Sequence, residues 1–252
     1  MDMVFITGTA GAGKSLLTHA MKEWYISRGE NAVAVNLDPG VLNLPYNPDV
    51  DVRQRIDFQE IMDQYKLGPN GALILATDMV AAKLEGIQEE IESVNPEYVI
   101  VDTPGQTELF AFRESGEYIV RETRADSKVL LFLLDPLLAN TPTNFLSLAL
   151  LSASVGLRMK IPRITVLPKR DIAFEGVKRI LEWSKGSRAF EDALAATKDS
   201  DQYSLYSELF RTLKKLSFGA DLYPLSSVTQ EGLIALVGEI ARLGRGGEEL
   251  TD

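Results

Sequence analysis

The hydrophobic pattern of the chain alternates between short apolar runs and longer segments with apolar residues at helical spacing. The segments 14–28 and 230–242 follow the three-to-four-residue spacing of an amphipathic helix. Strands that alternate with such helices predict a doubly wound α/β fold whose sheet is mostly parallel. The apolar runs of strand length are 3–7, 32–37, 97–101, 129–134, 163–167 and 221–225.

Two helix-rich stretches are longer than ordinary connections between strands. Residues 51–95 carry two helical patterns on either side of Leu-Gly-Pro-Asn-Gly at 67–71, and residues 172–217 form the second stretch. Because crossovers of this length are uncommon, we expect both to be helical insertions in a single domain that spans 1–243. The segment 244–252 is glycine-rich and acidic, and we expect it to be a flexible tail.

Composition narrows the chemistry that the chain can perform. The absence of cysteine excludes thiolate metal sites and thiol catalysis, and a single histidine disfavours a histidine-based metal cluster. A formal net charge of -10 disfavours nucleic acid as a partner. No apolar run is long enough to cross a bilayer, and the first predicted strand begins almost at once. We therefore expect a cytoplasmic protein that is not attached to a membrane.

A glycine-rich loop that carries lysine and serine follows the first predicted strand. Residues 8–15 read Gly-Thr-Ala-Gly-Ala-Gly-Lys-Ser and run into the predicted helix 14–28. Glycines let backbone N–H groups converge on a phosphate, and the helix adds its positive N-terminal end. We expect Lys14 to reach the β- and γ-phosphates and Ser15 to bind Mg²⁺. The other predicted phosphate contacts in this loop are Gly11, Ala12, Gly13 and Leu16.

A second motif, Asp-Thr-Pro-Gly-Gln at 102–106, follows the predicted strand 97–101. Asp102 is placed to hold Mg²⁺ through a water, although an isolated aspartate at a strand end is more often a cap. Gly105 can offer its N–H to the γ-phosphate, and Gln106 can orient an attacking water. The two motifs together predict Mg²⁺-dependent hydrolysis of a nucleoside triphosphate in addition to its binding.

The base-binding pattern is weaker. P-loop GTPases read guanine with Asn-Lys-x-Asp after a strand, whereas residues 168–171 read Pro-Lys-Arg-Asp. Lys169 can stack its stem on the base and Asp171 can accept two hydrogen bonds from guanine, but loss of the asparagine costs about 1 to 3 kcal/mol if nothing replaces it. Alternatively, both residues form only a charged strand exit. Ser226 follows the last predicted strand, where a backbone N–H of such proteins reads the guanine O6.

These motifs resemble those of the GPN-loop GTPases, a family of dimeric P-loop GTPases found in archaea and eukaryotes. The resemblance implies a homodimer in which the Gly-Pro-Asn segment enters the partner's active site and brings Asn70 near the γ-phosphate. It also implies that Asp38 contacts the attacking water or the Mg²⁺ shell; a turn aspartate before Pro39 is the alternative. The matching residues are 8–15, 36–40, 51–53, 67–71, 102–106, Lys169, Asp171 and Ser226.

The resemblance implies a slow molecular switch that converts GTP to GDP and acts on a protein client, since eukaryotic relatives are associated with RNA polymerase II assembly. Three other interpretations stay open. A dimeric ATPase of the partitioning or metal-insertion type is disfavoured because Thr9 and Ala10 stand where an extra lysine would be, and a cysteine pair is absent. A small-molecule phosphotransferase is disfavoured by Gln106. A binding module without turnover is disfavoured by intact Lys14 and Asp102.

Overall fold

The computed structural model describes residues 1–197, 202–215 and 222–244. In these ranges seven parallel strands form one sheet in the order β3-β2-β4-β1-β5-β6-β7. The doubly wound parallel sheet predicted from the sequence is therefore confirmed. The strands are β1 (Asp2–Gly8), β2 (Ala32–Asn36), β3 (Val50–Asp51), β4 (Tyr98–Asp102), β5 (Ser127–Leu133), β6 (Arg163–Leu167) and β7 (Leu222–Pro224).

Helices cover both faces of the sheet, which is why its strands are apolar on both sides. In β1, Val4 and Ile6 face the core under α1 and α11, while Met3 and Phe5 face the larger core under the other helices. A single turn of 3-10 helix, Val52–Gln54, follows β3. The helices are α1 (Lys14–Ile26), α2 (Phe58–Tyr65), α3 (Pro69–Ala82), α4 (Leu84–Ser93), α5 (Thr107–Ala111), α6 (Glu114–Glu122), α7 (Pro142–Met159), α8 (Phe174–Lys185), α9 (Ser187–Ala195), α10 (Tyr203–Lys215) and α11 (Leu233–Gly244).

The register of the central strands brings the predicted motifs to one edge. Ile6 of β1 and Asn36 of β2 both pair with Asp102 of β4, so the three strands end at the same level. The loop after β1, the turn after β2 and the segment after β4 therefore emerge side by side at the carboxyl edge. This is the edge at which parallel α/β sheets bind their ligands.

The inserted regions differ in detail from the sequence prediction. Val50–Asp51 pairs with β2 as an edge strand, and two residues are too few to produce a periodic pattern. The stretch 51–95 holds three helices, because α3 and α4 are separated by Lys83 alone and the apolar pattern continues through it. The stretch 172–217 holds α8, α9 and α10. The predicted tail, apart from Gly244, lies outside the described residues.

Within the described ranges, no helix combines the length and the apolar character that crossing a membrane requires.

Candidate functional site

The glycine-rich loop forms an open cradle in front of α1. Gly13 precedes the helix with φ of 98°, a left-handed conformation that favours glycine. No side chain caps the N-terminus of α1, so its first N–H groups are available to an anion. Leu16 lies in the first turn with its side chain partly exposed, so its contribution to a bound phosphate would come from the backbone.

Lys14 links the loop to the second motif. Its Nζ donates to the carbonyl oxygens of Gly8 at 3.0 Å, Thr9 at 3.1 Å and Gly105 at 2.9 Å. Burial lowers the pKa of Lys14, and the negative charges of Asp102 and Asp38 partly offset this. The ammonium therefore lies between the two segments that the sequence assigns to the phosphates.

Asp102 is buried beside this lysine, with 2% of its surface exposed. Burial raises its pKa to about 6, although Ser15, Tyr46 and Lys14 each act in the opposite direction. The Tyr46 hydroxyl donates to Oδ2 at 3.1 Å, while Oδ1 is buried without a hydrogen-bond partner. A buried carboxylate oxygen of this kind calls for a cation or a cation-bound water.

The residues present fit Mg²⁺. Ser15 and Asp102 together supply one hydroxyl and one carboxylate, and Mg²⁺ commonly completes such a set with phosphate oxygens and waters. The described residues hold no group of three or more His, Cys, Asp or Glu side chains that could bind a metal by themselves. Ser15 and Asp102 would therefore need oxygens from another group, such as a bound phosphate or waters, to complete a Mg²⁺ site.

Asp38 takes part in both a turn and the site. Its Oδ1 accepts the N–H of Gly40 at 2.9 Å, as a turn aspartate does, and its Oδ2 accepts the N–H of Gly105 at 2.9 Å. The Asn36 side chain holds the Asp38 backbone with two hydrogen bonds. Its Oδ1 accepts the Asp38 N–H at 3.0 Å, and its Nδ2 donates to the Asp38 carbonyl at 3.2 Å. The turn interpretation thus describes the Oδ1 contact, and the contact of Asp38 with an attacking water or the Mg²⁺ shell stays a prediction.

In the segment after Asp102, the backbone of Gly105 is hydrogen-bonded to other site residues, whereas the side chain of Gln106 is not. Gly105 donates its N–H to Asp38 and accepts from Lys14, so both of its backbone polar groups are occupied by residues of the site. Gln106 immediately precedes α5, is partly buried, and its side-chain amide makes no hydrogen bond to any described residue. That amide is available to a water.

The Gly-Pro-Asn segment begins a helix rather than forming a separate turn. Gly68 is the N-cap of α3 with extended backbone, and Pro69 opens the first turn, where its missing N–H is tolerated. Asn70 is exposed, and in the described part of this single chain its side chain makes no hydrogen bond. Asn70 is thus the predicted site residue that the structure does not join to the others.

At the base-binding end, Lys169 forms an ion pair that the sequence analysis did not predict. Its Nζ lies 2.7 Å from Oδ2 of Asp135, a buried aspartate that follows β5. Asp171 is exposed, and its carboxylate has no hydrogen-bond partner among the described residues. Arg170 donates its N–H to Leu225 and so ties this segment to the one that follows β7.

Ser226 does not offer a base-reading donor in this conformation. Its N–H donates to the Glu231 carbonyl at 3.0 Å, and its hydroxyl accepts from the Thr229 N–H at 3.1 Å. Both groups stabilise the turn. The N–H of Ser227, one residue later, has no partner in the described ranges, and a base contact in this segment stays a prediction.

Sequence reasoning missed Asp135 and Tyr46, which contact the predicted site residues Lys169 and Asp102. Asp135 follows the apolar run 129–134 just as Asp38 and Asp102 follow theirs, so the same strand-end signal could have identified it. Tyr46 reaches Asp102 from 56 positions away in the sequence, and no local pattern indicates that contact.

A glycine-rich loop with Lys14 and Ser15 between β1 and α1, facing Asp102 at the end of β4, defines the P-loop nucleoside triphosphate-binding proteins. Residues 6–245 match a family model described as "Conserved hypothetical ATP binding protein". The chain is 33% identical to GPN-loop GTPase 1 of Dictyostelium discoideum over 195 residues, which cover 76% of this chain and 48% of that protein. The chain belongs to the GPN-loop GTPase family, as its motifs predicted.

Two further comparisons agree with this assignment. GPN-loop GTPase QQT2 of Arabidopsis thaliana is 30% identical over 226 residues, which cover 85% of this chain and 59% of that protein. The chain thus spans about half to three fifths of the length of these two relatives. The crystal structure of a GTPase from Pyrococcus abyssi in apo form superposes with a TM-score of 0.83 at 27% identity and covers 96% of both chains.

Proposed function

We propose that the protein binds GTP with Mg²⁺ and hydrolyses it to GDP and phosphate. The observation that carries this proposal is the 2.9 Å contact of Lys14 Nζ with the Gly105 carbonyl, because it joins the phosphate loop to the segment that would orient the attacking water. The unpartnered oxygen of Asp102 beside this contact supports metal-assisted chemistry. The phosphate loop and the segment proposed to orient the attacking water are therefore in contact at Lys14 and Gly105.

The positioning steps follow from groups of this chain. Lys14 exchanges its carbonyl partners for phosphate oxygens, and the Gly105 N–H leaves Asp38 for the γ-phosphate. Asp38, once released, accepts a hydrogen bond from the water that Gln106 orients. That water forms a bond to the γ-phosphorus, the bond to the bridging oxygen of GDP breaks, and both protons of the water leave with the phosphate as H₂PO₄⁻. Bound at Ser15 and Asp102, Mg²⁺ supplies charge neutralisation for the phosphate oxygens.

Guanine is the proposed base. Asp171 has an exposed carboxylate without a partner, and guanine offers two donors to such an acceptor where adenine offers an acceptor of its own. The family model's description names ATP whereas the relatives are called GTPases, so base preference needs a direct test.

The test measures phosphate release from GTP and ATP side by side, with the wild type and Asp171→Asn. Asparagine replaces one acceptor by a donor, so we expect the variant to lose GTP turnover and to gain turnover of XTP, whose C2 carbonyl replaces the guanine amine. Glu175→Gln, which changes an exposed acid on the same side of the molecule, is the matched control and should leave the preference unchanged. Faster turnover of ATP than of GTP by the wild type would contradict the guanine proposal.

The proposed active form is a homodimer in which Asn70 acts on the partner's site. At the start of α3 the Asn70 side chain is exposed and makes no hydrogen bond, as expected for a group that serves another chain. Exposed apolar side chains also follow β2, β5, β6 and β7 at the carboxyl edge, and a cluster of this kind marks a surface that another protein covers. These side chains are Leu42, Leu137, Leu138, Ile172 and Val228.

Mixing two inactive variants tests whether Asn70 acts in trans. Lys14→Ala removes the phosphate site but keeps the loop, and Asn70→Ala does the reverse. If Asn70 acts on the partner, random mixing regains about a quarter of wild-type activity, because about half of the dimers are mixed and each has one complete site. As the control, Lys14→Ala is mixed with the Lys14→Ala/Asn70→Ala double variant, which should regain nothing. No recovery in the first mixture would contradict the trans role.

A protein client and a cytoplasmic location complete the proposal. The apolar carboxyl edge that supports dimerisation adjoins the nucleotide site, so its contacts can depend on whether the nucleotide is GTP or GDP. Affinity capture with the protein held in each state tests this: a client should be retained by one state only, and equal capture by both states would contradict a switch.

A further inference from the structure

Asp135 is a buried aspartate that the proposed hydrolysis does not use. It lies two residues after the end of β5, and 4% of its surface is exposed. Its Oδ1 accepts the N–H of Leu137 at 3.0 Å, and its carbonyl accepts the N–H groups of Leu138 and Ala139. A tight backbone turn therefore fixes the carboxylate, and a buried carboxylate needs a compensating positive charge.

Lys169 supplies that charge at 2.7 Å from Oδ2, with most of its side chain buried. The backbone of Lys169 has φ of 61°, a left-handed conformation that costs a residue other than glycine about 1 kcal/mol. Its carbonyl accepts the N–H groups of Ile172 and Ala173, which begins the turn that carries Asp171. The ion pair thus fixes both the lysine side chain and the turn beside it.

The Asp135–Lys169 ion pair lies next to Pro168, where the asparagine of the guanine-binding pattern is absent. An asparagine at this position would tie the base-binding segment to the phosphate loop, and proline offers no side-chain donor or acceptor for that purpose. β5 lies between β1 and β6, and its Leu133 pairs with Gly8 at the start of the phosphate loop. Asp135 therefore ties the base-binding segment to the strand next to the phosphate loop.

We propose that Asp135 is a positioning residue for the nucleobase, and that its ion pair with Lys169 replaces the asparagine that Pro168 displaces. Held in this way, the hydrocarbon stem of Lys169 covers the base and Asp171 meets its edge. The inference rests on the proposed binding of a guanine nucleotide. It implies that loss of the Asp135 charge weakens the binding of every nucleotide through its base, while hydrolysis of the phosphate is unchanged.

Asp135→Asn is the direct test, because it keeps the shape and the Oδ1 acceptor and removes the charge. We expect the Kd of GDP, the Kd of GTPγS and the KM of GTP each to rise about tenfold, with kcat unchanged, since this interaction is made equally in ground and transition states. Inhibition by tripolyphosphate, which has no base, should not change. Glu117→Gln breaks the more exposed ion pair of Lys160, another lysine with positive φ, and is the matched control, with wild-type values expected.

A double-mutant cycle with Lys169→Met, which keeps the stem and removes the charge, measures the pairing itself. The double variant should bind nucleotide more tightly than the sum of the two single losses implies, because each single variant leaves one charge without its partner and the double variant leaves neither. Additive losses, a wild-type Kd for Asp135→Asn, or an equal loss of tripolyphosphate binding would overturn the inference. A wild type that binds only ATP would refute the guanine proposal, and the same cycle measured with ATP would still decide the role of Asp135.

Discussion

The carboxylate of Asp102 is buried, and one of its oxygens has no protein partner. Because its pKa is raised from 3.8 to about 6, the ionised form is disfavoured in the folded protein relative to the unfolded chain. At 1.36 kcal/mol per pKa unit, this penalty is about 3 kcal/mol at neutral pH in the absence of a cation. The residue thus illustrates a conflict between stability and function at a single side chain.

Asp102→Asn is therefore expected to stabilise the protein when nucleotide is omitted and EDTA is added. Asparagine cannot ionise, so the gain should be about 2 to 3 kcal/mol above pH 6. Between about pH 6 and pH 4 the folded wild type binds more protons than the unfolded chain, its penalty shrinks as the pH falls, and the gain should disappear. Urea unfolding at both ends of this range measures the difference.

The control for this prediction is Glu89→Gln, which changes an exposed acid on α4 that has no hydrogen-bond partner in the described ranges. Its effect should be small at both pH values. A gain for Asp102→Asn that is the same at pH 4 and pH 7.5 would show that ionisation is not its cause.

At the scale of elements, the segment after Gln106 folds into two short helices that pack closely. Gly116 of α6 is the point of closest approach, because a Cβ built there would lie 1.8 Å from the carbonyl oxygen of Phe110 in α5. Position 116 requires glycine because a Cβ would clash with the Phe110 backbone, and not because of its backbone conformation.

Gly116→Ala should therefore lower the free energy of unfolding by more than about 2 kcal/mol, the range expected for overpacking against backbone. The matched substitution is Gly238→Ala in α11, where an added Cβ meets nothing within 4 Å. That variant should be stabilised by about 0.5 to 1 kcal/mol through helix propensity. Thermal and urea unfolding of both variants test this contrast, and equal effects would refute the packing argument.

The elements themselves were largely predictable, because buried strands and amphipathic helices differ in period. The prediction of residues 163–167 coincides with β6, whereas β3 has only two residues and produces no pattern. The boundary at Lys83 was also hidden, since neither glycine nor proline separates α3 from α4. Predictions failed where an element was too short or where only tertiary contacts mark its end.

The candidate site was predictable where a motif has a local cause. Strand ends and a glycine-rich loop identified Lys14, Asp38 and Asp102 because parallel strands converge on one edge. The contacts of Tyr46 with Asp102 and of Asp135 with Lys169 join residues far apart in the chain, so spacing could not indicate them. The sequence could not indicate what compensates for Pro168, because Asp135 and Lys169 meet only through the pairing of β5 with β6.

For the molecule as a whole, the proposed dimer places exposed apolar side chains of the carboxyl edge against a second copy. Leu42 is 88% exposed and Ile172 is 70% exposed. Leu42→Ser and Ile172→Ser should therefore weaken self-association without lowering the free energy of unfolding of the monomer. Sedimentation across a concentration series checks this, with Ile26→Ser as the control at the end of α1, away from that edge. An unchanged dimer affinity in both variants would exclude this surface.

The bond between the Asp38 carboxylate and the Gly105 N–H has a consequence for selectivity between substrate and product. A γ-phosphate can engage that N–H only by competing with a carboxylate, so part of the binding energy of GTP is used to break an existing bond. GDP has no γ-phosphate and leaves the bond intact. In the proposed cycle the Asp38 carboxylate competes with the γ-phosphate for the Gly105 N–H, and its return to Gly105 after hydrolysis would favour departure of the phosphate over its rebinding.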